Sequence, residues 1–105
     1  KTKMKHNQKI LDMVSHWMVM LDIRGWAVTI EAIDKKSVIY DSEIPEEDRY
    51  YVGVQVDRDT RIATIYHDRD LTEEDIVHEL LHVKYPDWTE DQVNKQTEKW
   101  LRKEN

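Results

Sequence analysis

Cysteine and phenylalanine are absent from this chain, glycine and proline occur twice each, and no apolar run in its 105 residues approaches the length of a membrane span. Without cysteine there is neither a disulfide nor a thiolate-bound zinc, so any metal must be held by histidine and carboxylate, and the chain reads as cytoplasmic. The most apolar stretch, Met13 to Met20, is broken by Ser15 and His16; crossing a bilayer takes ~20 apolar residues, and no stretch reads as a signal peptide. Positive charge is not gathered into a stripe either. The net charge is −6, and phosphate neutralisation needs a clustered Lys/Arg face, which sets nucleic-acid binding aside as the main task. Lys1, Lys3, Lys5 and Lys9 read as a solvated end. Repeats and low-complexity segments are lacking. With 36% charged residues beside so little glycine, the composition leans toward the thermophilic kind. The length supports one domain, 1–105, close to the smallest that buries a core without cross-links.

What the chain does have is His78-Glu79-Leu80-Leu81-His82. Four residues sweep about one helical turn, so both imidazoles face one way and converge on a single ion, leaving positions for a third protein ligand and a water. Glu79 then lies beside that water. Thr72 is placed to cap the helix, acidic residues fill its first turn, and Ile76, Val77, Leu80, Leu81 and Val83 form a broad apolar stripe. The competing description is a buried helix that carries two half-exposed polar histidines.

A third ligand must come from the following helix, which offers Glu90, Asp91 and Glu98. Pro86 stops the motif helix near Lys84, Asp87 or Thr89 caps the next, and Val93, Thr97, Trp100 and Leu101 mark its inward face. At 100° per residue Glu90 lies within about 60° of Val93 and about 20° of Thr97, whereas Glu98 is turned about 100° away from Thr97. A short connection makes the two helices neighbours, and Glu90 comes within reach of His78 and His82. Against this stands ordinary capping: Asp87 with Glu90, or Thr89 with Gln92, makes a capping box.

These residues resemble the gluzincin metallopeptidases, in which a glutamate on a later helix completes the zinc site. Glu90-Asp91-Gln92-Val93-Asn94 resembles their second motif, with Val93 in the small-residue place. On that resemblance Asn94 orients His78 through the ring nitrogen turned away from the metal. At this length the chain is most similar to the minigluzincins, soluble single-domain members, and the likeness rests on the last third of the chain. It implies one Zn2+ on His78, His82 and Glu90, a peptide or unfolded protein as substrate, and latency through residues 100–105 lying in the cleft. Core packing is the plainer use of Trp100 and Leu101.

Upstream, Ile10, Leu11, Val14, Trp17, Met18 and Leu21 predict an amphipathic helix from about 7 to 22, ended by Gly25. Trp26 to Glu31 alternates as a strand, Ser37 to Tyr40 as a shorter one, and Glu43 to Asp48 is an acidic connection. Tyr50 to Val56 and Arg61 to His67 then read as a hairpin about Asp57-Arg58-Asp59-Thr60. The expected architecture is therefore α+β: an N-terminal helix, a small, mostly antiparallel sheet of three to four strands, then the motif helix and the glutamate helix, a minimal zincin-like core. The strand from Ile62 to Tyr66 is expected at the cleft edge, where strand addition would hold an extended peptide.

The expected chemistry is hydrolysis of a peptide bond by a zinc-held water, with Glu79 as general base and then proton donor to the leaving amine. Tyr66, His67 and Tyr85 are chemically suited to touch substrate or its oxyanion, although an ordinary surface histidine also describes His67. A reading from another class is a zinc-containing peptide-binding or regulatory module without turnover. Self-association through the β edge or the C-terminal segment would block the cleft.

Overall fold

A computed structural model describes residues 2–33 and 51–104, with side chains over 8–33 and 51–103. The fold is α+β, in the order α1 (Thr2–Met20), β1 (Ala27–Ala32), β2 (Val52–Asp57), β3 (Ile62–His67), α2 (Glu73–Lys84) and α3 (Glu90–Glu104). The expected Ser37–Tyr40 strand and the Glu43–Asp48 connection lie outside the described residues, as does Tyr50.

The first helix, expected from about 7 to 22, runs Thr2–Met20, and Asp22 rather than Gly25 ends it. Asp22 takes the left-handed conformation at φ 58°, its N–H donates to Val19 O at 3.1 Å and the Ile23 N–H donates to Met18 O at 2.9 Å. This is the paired-bond ending usually built on glycine, here with a short polar residue that tolerates the same backbone, and Ile23 is buried directly after it. Gly25 therefore falls in the turn beyond the helix.

The sheet is mixed rather than mostly antiparallel. Its order is β1-β3-β2: β3 pairs parallel with β1, Ala27 opposite Ile62, and antiparallel with β2, Val54 opposite Ile65. The hairpin reading holds. Its turn is fixed by the Asp57 carboxylate, which accepts from the Asp59 and Thr60 amides at 3.0 and 3.3 Å, and by Arg61 at φ 57°. The expectation that β3 forms the cleft edge fails, because β1 occupies its other side; among the described residues the edges are β1 and β2. Alternation marks which side chains share a face but carries no information on strand order.

One face of this sheet packs on the helices. Ala63 and Ile65 are fully buried with Trp17 of α1, Leu21 just after it, Ile76, Val77, Leu80 and Leu81 of α2, and Val93 of α3. The opposite face is polar, with the Thr29 and Thr64 hydroxyls 3.0 Å apart and Tyr66 donating to Gln55 at 3.2 Å. Trp100 packs edge-on against Trp17 at 5.9 Å, and Trp17 donates to Glu73 at 2.9 Å, so α1 is held by both later helices. Among the described residues, no helix is long and apolar enough to cross a membrane.

Candidate metal centre

Two capping boxes set the geometry. At the start of α2, Thr72 accepts from the Asp75 amide while the Asp75 carboxylate accepts from the Thr72 amide, so the helix begins at a fixed residue and its 3.6-residue period turns His78 and His82 to one side. At the start of α3, Thr89 rather than Asp87 is the cap: Thr89 N–H donates to Gln92 Oε1 at 2.8 Å and Gln92 N–H donates to Thr89 Oγ1 at 3.2 Å. Between them, Tyr85 and Trp88 stack at 3.8 Å and 6°, and the Trp88 amide donates to Tyr85 O at 3.2 Å. This stiff link brings the first residue of α3, Glu90, to both histidines.

Three donor atoms converge there. His78 Nε2 lies 3.2 Å from His82 Nε2 and 3.1 Å from Glu90 Oε2, while His82 Nε2 is 2.6 Å from Glu90 Oε1. Ligands at about 2.0–2.1 Å from a tetrahedral zinc are separated by about 3.3 Å, so the first two spacings are within a few tenths of an ångström of what one ion requires. The three side chains form a group able to hold a metal ion. The second carboxylate oxygen lies within hydrogen-bonding distance of His82 Nε2, so the one carboxylate faces both imidazoles.

Glu90 was expected on the buried face of its helix, yet its side chain is 70% exposed. At the first position of α3 it lines the cleft, touching the α2 histidines through its carboxylate while the rest of the side chain faces solvent. The histidines are half-buried, and Glu79 behind them is only 6% exposed, its Oε2 4.0 Å from His78 Nε2. Burial pushes the Glu79 carboxyl up to about 8, helped by the charges of Glu90 and Asp75. A carboxyl that readily holds a proton thus sits beside the three donors.

The cleft containing these groups is walled by β2 from Val52 to Val56, with Tyr51, Arg58 and Pro86 at its margins. The other expected contacts stand elsewhere. Tyr66 is on the central strand and bonded to Gln55, the His67 ring nitrogen Nδ1 is 2.8 Å from Arg69 O, and Tyr85 is stacked on Trp88; none of the three lines the cleft. Asn94 is exposed on α3, with no hydrogen bond to His78 among the described residues. Trp100 and Leu101 pack toward the core, and Trp100 to Lys103 do not line the cleft.

Arg58 was not anticipated. Its Nη1 donates to Val83 O at 3.0 Å and its Nη2 reaches His82 O at 3.5 Å, while the guanidinium lies 5.6 Å over the Trp26 ring. A charged hairpin turn in the sequence gives no sign that it will reach the end of α2; only the packing of β2 on α2 does so. Comparison of the chain with protein-family models, with curated proteins and with solved structures finds no match.

Proposed function

We propose that this chain is a zinc metallopeptidase of the gluzincin type, a minimal zincin-like core similar to the minigluzincins. The convergence of His78, His82 and Glu90 on one point, with the buried Glu79 carboxyl beside it, is the observation that carries the reading. A cation held by these three side chains supplies Lewis-acid chemistry: it polarises a carbonyl and makes water acidic at neutral pH.

The chain's own groups do the rest. Glu79 takes the proton from the water that attacks the scissile carbonyl and delivers it to the departing amine, so its ability to hold a proton near neutrality suits both steps. Charge neutralisation at Glu90 removes one of the causes that raise Glu79 and moves it toward the range of an effective base. Pairing of the imidazoles with the Glu90 carboxylate keeps their Nε2 atoms turned toward the site. Apolar Val52, Val54 and Val56 behind the site limit water on that side.

The test compares zinc-loaded wild type with Glu79→Gln on an unfolded protein, with cleavage read by mass spectrometry and metal content by elemental analysis. The expected result is chelator-sensitive cleavage by wild type and a loss of at least about a hundredfold in the variant, with equal metal in both. Equal cleavage by the two overturns the mechanism. Zinc binding without cleavage by wild type favours the peptide-binding or regulatory module.

A further inference from the structure

We propose that Arg58 forms a carboxylate-binding subsite beside the metal centre, so that the cleft prefers substrates carrying a carboxylate, from an acidic side chain or from the peptide's own C-terminus. The inference rests on the peptide-cleaving reading of the same cleft and deepens it by naming the substrate class.

Three observations carry it. Arg58 lies at the start of the β2–β3 turn and lines the same cleft as His78, Glu79, His82 and Glu90, and among the described lining residues it is the one cation. Its guanidinium is already held: Val83 O and His82 O accept from two of its nitrogens, and Trp26 lies against its face. A guanidinium offers five N–H donors, so this anchoring leaves others for a ligand. The side chain is also solvent-exposed, so a ligand reaches it without rearrangement of the fold.

The physical consequence is selectivity. Fixing a long arginine side chain normally costs conformational entropy when a ligand binds, and here the helix carbonyls and the indole have already restrained it. Planar guanidinium donors match a carboxylate in two-point geometry, whereas the neutral amide of glutamine or a C-terminal amide lacks the charge that makes such bonds strong. A substrate carboxylate is drawn to Arg58, the one cationic lining side chain among the described residues of the cleft, and away from the Glu90 carboxylate. Because Arg58 is bonded to the backbone of His82 itself, a substrate held there is next to the residues proposed for hydrolysis.

The test uses dye-labelled peptides of one unstructured sequence, containing either Glu or Gln at each position flanking the cleaved bond, each made as free acid and as C-terminal amide. Binding is measured by anisotropy on zinc-loaded Glu79→Gln protein with Arg58, Arg58→Gln or Arg58→Lys, and kcat/KM is measured with the same position-58 changes in a wild-type background. The expected result is a preference for a carboxylate-bearing peptide of about tenfold to a hundredfold, abolished by Arg58→Gln and partly kept by Arg58→Lys. Discrimination between Glu and Gln assigns the subsite to a side chain; discrimination between acid and amide assigns it to the C-terminus. Equal loss for all peptides in Arg58→Gln means that Arg58 only caps α2, and overturns the proposal. Wild type that binds with this preference but cleaves nothing refutes the peptidase reading alone, cleavage without the preference refutes the subsite alone, and neither binding nor cleavage refutes both.

Discussion

Asp75 accepts from both terminal nitrogens of Arg69, at 2.7 and 2.8 Å, and from the amide and hydroxyl of Thr72, at 2.8 and 2.9 Å. Burial raises its pKa, but these bonds and the Arg69 charge outweigh burial and hold the carboxyl below its ordinary 3.8. A carboxylate depressed in the folded state contributes stability that is full above its unfolded value and vanishes as pH falls through the folded one. Wild type should therefore exceed Asp75→Asn by about 1–2 kcal/mol at neutral pH, with the gap closing below about pH 4; denaturant titrations over a pH series check this. At the same scale, the residues of His78-Glu79-Leu80-Leu81-His82 disclose their grouping in advance because one helical turn fixes their relative direction. Tyr66, His67, Tyr85 and Asn94 had no such constraint. Their side chains turn to Gln55, to a neighbouring carbonyl, to an indole and to solvent.

Helix boundaries were legible wherever a side chain satisfies the end of the helix. Thr72 and Pro86 bracket α2 as the sequence suggests, and Thr89 settles the choice of cap on α3 because its hydroxyl accepts from the Gln92 backbone amide while the Gln92 side-chain oxygen accepts from the Thr89 backbone amide. The end of α1 near residue 22 was legible but the residue that makes it was not, because glycine is the usual left-handed residue and Asp22 serves instead. The α3 cap is coupled to the site, since Glu90 is the next residue. Thr89→Ala should cost about 1 kcal/mol, fray the first turn and weaken zinc binding by about tenfold, whereas Thr89→Ser retains it. Competition against a chromophoric chelator reads the difference, and an unchanged affinity in Thr89→Ala would show that the Tyr85–Trp88 stack alone places Glu90.

For the molecule as a whole, a metal at the three donors links α2 to α3 and so stabilises the folded chain against the unfolded one. Zinc at about a hundred times its dissociation constant should add about 2.7 kcal/mol, seen as a rise in melting temperature of about ten degrees or more for a domain of this size. A chelator should reverse the rise, and Glu90→Ala should lose most of it while melting normally without metal. The class of the fold and the hairpin were readable in the sequence; the order of the strands was not, because it depends on which sheet edge the distant β1 joins. That arrangement also bears on how the chain assembles. The hairpin closes over a short turn, whereas the Thr29–Thr64 contact spans 35 residues, so the second pairing carries the larger loop-closure entropy. Until β1 arrives, one side of β3 has its hydrogen-bonding groups open to any passing strand, making the half-built sheet the stage of folding most exposed to pairing between chains.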